Sequence, residues 1–404
     1  MIPVDEARER LLATLQPLGT EQIPVADGFS RVLAEDIAAR RTQPPSALSA
    51  MDGYAVRAAD VANIPARLSV VGAVPAGKSY DGKLGAGEAV RIFTGAPLPD
   101  GADAIVIQED TDRDGDIVVV KEASPVGRHV RVAGLDFRTG DVRLKAGRRL
   151  TARDVGLAAA MNHPWLRVYR RPRVAILPTG DEIVLPGDPI GPNQIVSSNS
   201  FALGALVQAC GGVPVALPIA PDDPRALQQV AATATGIDLL VTTGGASVGE
   251  HDLIRDALGE TGLVLDFWQI AMRPGKPLMV GAFRGTPMIG LPGNPVSTMV
   301  CSMLFLKPAI EKLSGLAPTV PALQKARLTS PLKANDRRQD YLRAALTRSA
   351  DGSLEVAPFG KQDSSMMSLL AAADCLIVRP PHAPAVIAGD PVDIMMLSGD
   401  PVPL

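Results

Sequence analysis

Arg173-Val174-Ala175-Ile176-Leu177-Pro178-Thr179-Gly180-Asp181-Glu182 is the stretch that decides the fold: an apolar run that breaks at once into a polar, glycine-containing loop. An apolar run without polar alternation is buried on both faces, as in a parallel sheet covered by helices. The same unit recurs downstream, with a helix over 199–210, a strand over 213–219, a helix over 224–235 and a strand over 238–242. A helix over 252–260, strands over 276–281 and 287–291, and one long helix over 295–314 complete the series. Alternation of this kind predicts a doubly wound, mainly parallel α/β sheet. Ligands of such sheets bind beyond the carboxyl ends of the strands.

Three polar loops follow strands and should therefore converge: 178–182, 242–252 and 290–297. In the third, Pro292 and Gly293 force a tight turn, Asn294 suits an N-cap and Pro295 suits the first helical position, with Ser297 in the first turn. A helix N-terminus carries N–H groups and a positive dipole end, which together favour an anion. In the second loop, Gly244 and Gly245 let backbone N–H groups turn towards a phosphate, and Ser247 adds a hydroxyl. Either loop alone reads equally well as an ordinary strand-to-helix turn. Glu182, Asp222 and Asp252 follow successive strands, a hard-oxygen set suited to Mg²⁺ beside phosphates, although any one of them also suits a helix cap. Arg273 and Lys276, three residues apart in a loop stiffened by Pro274, Gly275 and Pro277, suit a tetrahedral oxyanion or, equally, a charged surface turn.

The flanking segments differ in character. An amphipathic helix is expected over 3–17, with Asp5 as its cap. Short β-branched runs at 68–71, 89–93, 103–107 and 117–120 predict a small β-rich unit over 46–135. Helix returns over 145–167, with Thr151 as cap and Asp154 three residues on; rejoining the first helix would make the β-rich part an insertion. Beyond 321 the chain turns β-rich again, with runs at 341–347, 354–356, 374–378 and 391–395 and a hairpin signal at Asp351-Gly352.

Composition excludes several classes. Fourteen aromatic residues in 404 and a net charge of −3 argue against nucleic acid as a partner. Cys210, Cys301 and Cys375 form no pair by spacing, and His129, His163, His251 and His382 form no metal motif. No signal-like or membrane-spanning stretch is read, so a cytoplasmic protein with no membrane partner is expected.

Ser49-Ala50-Met51-Asp52-Gly53-Tyr54-Ala55, Arg91-Ile92-Phe93-Thr94-Gly95-Ala96-Pro97-Leu98-Pro99 and Gly134-Leu135-Asp136 are joined by the loops above and by Gln362-Asp363-Ser364. In this order they resemble the molybdopterin molybdenumtransferase family, MoeA in bacteria and the gephyrin E domain in animals, over nearly the whole chain. The resemblance implies a multidomain α/β plus β protein with four domains. These are an elongated helical linking domain (1–45 and 136–171), a β-rich insertion (46–135), a MogA-like α/β catalytic domain (172–315) and a C-terminal β-barrel-like domain (316–404). It implies insertion of molybdate into adenylylated molybdopterin, with Mg²⁺-dependent release of AMP. It also implies a homodimer with shared active sites, with a molybdopterin adenylyltransferase and molybdoenzyme-delivery proteins as candidate partners.

By position, the resemblance assigns Glu182, Asp222 and Asp252 to the nucleotide and metal, and Ser247 with the 291–297 loop (Pro292, Gly293, Asn294, Pro295, Ser297) to phosphates. Asn199, Gly244 and Gly245 would border the same pterin-nucleotide site. Arg273, Lys276, Arg343 and Ser364 would hold molybdate, while Asp52, Thr94 and Asp136 would reach the site from the insertion. Gln269 and Arg273 stand where many members have Lys, and Asp363 stands where the family has Gly. A relative that only adenylylates molybdopterin normally lacks the insertion and the barrel, and a gephyrin-like scaffold would tolerate loss of Asp52, Asp252 and Lys276, all present here.

Overall fold

The computed structural model describes residues 1–75, 77–244 and 253–397. Its central sheet has six strands in the order Val213–Ala216, Arg173–Pro178, Leu239–Thr243, Thr286–Leu291, Pro277–Phe283 and Leu263–Gln269. The first four are parallel, and Pro277–Phe283 alone runs against them, pairing antiparallel with both of its neighbours. Side chains alternate across each strand, so each strand feeds two cores. Val174, Ile176, Leu239 and Val241 point to one face, with Leu203 and Val207 of helix Asn199–Ala209 and with Val300 and Phe305. Ala175, Leu177 and Leu240 point to the other, with Leu227 and Ala231 of helix Pro224–Ala232 and with Ile254 and Leu258.

Sequence reading passed over Leu263–Gln269, because an edge strand exposes alternate residues and its pattern LVLDFWQ is broken by Asp266. The helix expected over 295–314 divides into Pro295–Cys301, a π-helical turn Ser302–Leu306, and Lys307–Leu313. Pro308 has no N–H to give to the carbonyl four residues back, so the regular ladder cannot run through.

The first helix, Val4–Ala13, is shorter than expected and has Pro3, without a side-chain cap, at its start; Asp5 pairs with Arg8 instead. Its Val4, Ala7 and Leu11 pack into the α/β core rather than against the later helix. What rejoins across the insertion is the strand Thr20–Pro24, paired with Trp165–Tyr169, and Ile37–Ala38, paired with Val142–Leu144. Helix Ala152–Ala160 carries the expected capping box of Thr151 and Asp154 but stops well short of 167. Asn162 at φ 70° turns the chain into a strand.

Residues between these flanks form a six-stranded sheet in which Gly53–Val56 is an inner strand between Ala104–Ile107 and Glu88–Ile92. A Cβ at Gly53 would lie 2.0 Å from the Val106 carbonyl oxygen, so the Met-Asp-Gly-Tyr run owes its glycine to close strand approach. Near the C-terminus five strands, Gln339–Arg348, Leu354–Pro358, Leu323–Leu328, Pro391–Met396 and Cys375–Arg379, close on themselves as a barrel. Leu323–Leu328 is a further strand that sequence reading did not find, for its exposed Gln324, Lys325 and Arg327 mask the pattern.

Candidate active site

The loops after Arg173–Pro178 and Thr286–Leu291 meet at Gly244, the described residue that follows Leu239–Thr243, as the sheet topology requires. Gly244 sits at φ 95°, and a Cβ there would come 2.3 Å from the Thr179 carbonyl oxygen, so no other residue fits. Gly293 passes close to it, its Cβ direction 3.5 Å from the Gly244 Cα. Asn199 ties the loops together: its side-chain amide donates to Thr243 Oγ1 at 2.9 Å and to the Gly293 carbonyl at 2.7 Å. Between them opens a cleft of about 450 Å³, walled on its polar side by Glu182, Asn199, Gly244 and Asn294. Ile195 and Val196, 61% and 40% exposed, and Met367 give it an apolar wall. That combination suits a flat ring system carrying a charged group.

Asn294 stands at the N-cap position but does not cap with its side chain. It donates instead to Ser364 Oγ at 2.8 Å, while the Ser364 carbonyl accepts the Val296 N–H at 3.0 Å. The barrel domain thus supplies part of the cap. Pro295 has no N–H and that of Val296 is engaged, so the helix end offers fewer donors to an anion than the sequence suggests. Ser297 is buried behind it, and Ser365 joins the cleft wall.

Glu182 lines the cleft, and Asp222 lies exposed on the adjoining loop, where its N–H donates to Asp181 Oδ1 at 3.0 Å. The helix cap next door is Asp223, which accepts the Ala226 N–H at 2.8 Å, so Asp222 is not consumed in capping. Among the described residues no three His, Cys, Asp or Glu side chains gather as a metal cage. The predicted Asp252, with Gly245 and Ser247, lies outside the described residues.

The basic loop is organised differently from the sequence expectation. Arg273, in a short strand parallel to Gln339–Asp340, pairs with the buried Asp340 and, at 3.5 Å, with Asp336. Asp340 is the larger reason its pKa lies above the ordinary guanidinium value. Lys276 enters no ion pair among the described residues. Arg343 is 1% exposed and gives its guanidinium to the Met366 carbonyl at 3.1 Å and to Gln362 Oε1 at 3.4 Å. It acts as a clamp on the 361–366 loop that carries Ser364; burial pulls its pKa down, and Asp363 offsets part of that. Asp363 itself turns onto its own loop, accepting from Ser365 N at 2.8 Å and Oγ at 2.6 Å. Arg273, Pro274, Arg343 and Gln362 border one small hollow of about 50 Å³, so the two arginines are neighbours.

Asp52, Thr94 and Asp136 line no part of the cleft of their own chain. Thr94 donates its N–H and hydroxyl to Asp52 Oδ1 at 2.7 and 2.8 Å, and the backbone bond is the first reason that the Asp52 carboxyl lies below its usual range. Asp136 is exposed at the end of the insertion. Sequence reasoning missed Asp340, Asn335, Ile195 and Val196; the charge run 336–340 was the available signal for Asp340.

Comparison with known proteins accounts for most of the chain. Residues 2–162 match the MoeA N-terminal region (domain I and II), 175–312 a probable molybdopterin binding domain, and 325–397 the MoeA C-terminal region (domain IV). The chain is 37% identical to the molybdopterin molybdenumtransferase of Nostoc over 94% of its length and 89% of that protein's. It is 35% identical to the enzyme of the same name from Haemophilus influenzae, over 98% of each. Two solved structures of the MoeA protein from Pyrococcus horikoshii superpose with TM-scores of 0.84 and 0.83 at 31% and 28% identity, covering 99% and 98% of this chain and all of theirs. A full-length match of all three regions, in sequence and in fold, places this chain in the molybdopterin molybdenumtransferase family.

Proposed function

We propose that the chain performs the molybdenum-insertion step of molybdenum cofactor biosynthesis: it takes adenylylated molybdopterin and molybdate, and releases AMP and molybdenum cofactor. The observation that carries this reading is the cleft at the strand ends, where Gly244 and Gly293 admit close backbone approach and an apolar wall faces a polar one. Asn199 and Asn294 orient the pterin nucleotide, and the barrel loop closes the cleft beside them. Lys276 offers its ammonium to molybdate; Arg273, on the same loop, is held in a fixed position by Asp340 and Asp336. Glu182 and Asp222, carboxylates on joined loops and not used as caps, fit the hard-oxygen chemistry of Mg²⁺, with Asp252 as the third candidate. When bound, the ion supplies charge neutralisation at the phosphates.

We further read the active protein as a homodimer in the cytoplasm. Residues 46–135 leave their own cleft unlined, while Met51 and Phe93, 41% and 37% exposed, present a surface beside the Asp52–Thr94 pair for a partner's cleft. No helix among the described residues is long and apolar enough to cross a membrane, and the three cysteines are buried and unbridged. The test is to incubate the purified protein with adenylylated molybdopterin, Mg²⁺ and molybdate, and to measure AMP. Release that depends on both added ions supports the reading, and absence of release overturns it.

A further inference from the structure

Beside Arg273, at one end of the barrel, lies a separate cavity of about 160 Å³ bordered by Arg273, Lys333, Asn335, Asp340 and Arg379. Asp340 and Arg379 are direct partners across the antiparallel pair of Gln339–Arg348 and Cys375–Arg379, and each is 4% exposed. Buried charges persist only where partners compensate them. Asp340 gives one oxygen to Arg273, while its Oδ1 finds no partner among the described residues. Arg379 commits Nη2 to the carbonyls of Lys333, Ala383 and Pro384, while its Nη1 finds none. Both residues border the cavity, and each carries one buried group without a partner among the described residues. Lys333, exposed and in no ion pair among the described residues, stands at its border.

We propose that this cavity binds a small tetrahedral oxyanion that keeps a proton at neutral pH, the hydrogenphosphate class. Its unprotonated oxygens accept from Arg379 Nη1 and Lys333, and its hydroxyl donates to Asp340 Oδ1. The carboxylate is what selects: sulfate and molybdate have lost their protons at neutral pH, so each would set a bare oxygen against Asp340. A volume of about 160 Å³ accommodates a four-oxygen ion. A nucleotide's phosphate monoester, with a second pKa of ~6, has largely lost that proton at neutral pH, so the occupant is free phosphate. Asp340 also fixes Arg273, so the cavity shares that one residue with the molybdate-handling loop, while Lys276 does not border it.

The experiment follows inorganic phosphate by ³¹P line broadening on the full chain, with sulfate, molybdate and AMP as competitors. Broadening should be displaced at least about tenfold less well by sulfate, molybdate or AMP than by phosphate itself. Lys333→Gln should weaken phosphate about tenfold with the melting midpoint unchanged, and Arg379→Gln should remove binding. Lys276→Ala should leave the phosphate signal alone, which separates this cavity from the cleft and its loop. Absence of broadening, indifference to Lys333→Gln, or equal displacement by sulfate or AMP would each overturn the proposal.

Discussion

Asn294 and Ser364, seventy positions apart, are joined by a 2.8 Å hydrogen bond that fastens the barrel domain to the first turn of the helix behind the cleft. A single neutral hydrogen bond contributes ~0.5–1.5 kcal/mol. Ser364→Ala should therefore lower kcat/KM about two- to tenfold with the fold intact, since the Ser364 carbonyl still accepts from Val296. In a double-mutant cycle, Asn294→Ala should cost little more once Ser364 is Ala. Full additivity would mean that the two side chains act separately.

Gly244→Ala and Gly236→Ala separate clash from strain. Both glycines have positive φ, 95° and 64°, but a Cβ at Gly244 meets the Thr179 carbonyl whereas at Gly236 it meets nothing within 4 Å. Gly236→Ala should cost about 1–2 kcal/mol from the backbone alone. Gly244→Ala should cost clearly more and also lose activity, because relief of the clash moves the cleft wall. Equal urea midpoints for the two variants would contradict this account.

Lys276→Ala should weaken the molybdate response by about 10- to 150-fold, the range of a lost charge-assisted contact. Binding of the pterin nucleotide should persist, because the cleft walls do not include Lys276. Molybdate titration of AMP release, with separate measurement of nucleotide binding, reads the two effects apart.

The proposed sharing of sites across a dimer predicts complementation between two inactive variants, Asp52→Asn and Lys276→Ala, refolded together. Random pairing makes roughly half of the dimers mixed, and each mixed dimer carries one intact site. About a quarter of wild-type activity should return. No recovery, with mixed dimers verified by mass, would confine each site to one chain.

Asp52 should leave a signature in acid. Its folded pKa is depressed, first by the Thr94 N–H and then by the Thr94 hydroxyl. A depressed carboxylate stabilises fully above its unfolded value, ~3.9, and loses that contribution as pH falls through the lower folded value. The stability gap between wild type and Asp52→Asn should thus stay constant near neutrality and shrink below pH ~4. Urea midpoints across pH measure it, and a gap that widens in acid would reverse the sign argued here.

Much of the α/β architecture was legible because local rules and global packing agree there. Uninterrupted apolar strands, glycines in the loops and proline at a helix start each have one cheap conformation. Edge and mixed strands such as Leu263–Gln269 and Leu323–Leu328 were not legible, since half their residues face solvent and their pattern carries little periodicity. The same division runs through the candidate site. Gly244, Gly293, Asn199 and Asn294 stand together at the strand ends, where topology alone sends them.

Sequence by itself determined that this chain would build a doubly wound sheet with a polar rim, and which family blocks it would carry, because those depend on composition and spacing along the chain. Tertiary structure alone decided what each polar group does. Asn294 looks like a cap and is a tether to Ser364; Arg343 looks like a ligand for an anion and is a buried clamp on a loop; Arg273 is held by Asp340. Hydrogen-bond partners are set by which groups folding brings within about 3 Å. Groups some seventy residues apart have no signature of that meeting in the chain itself.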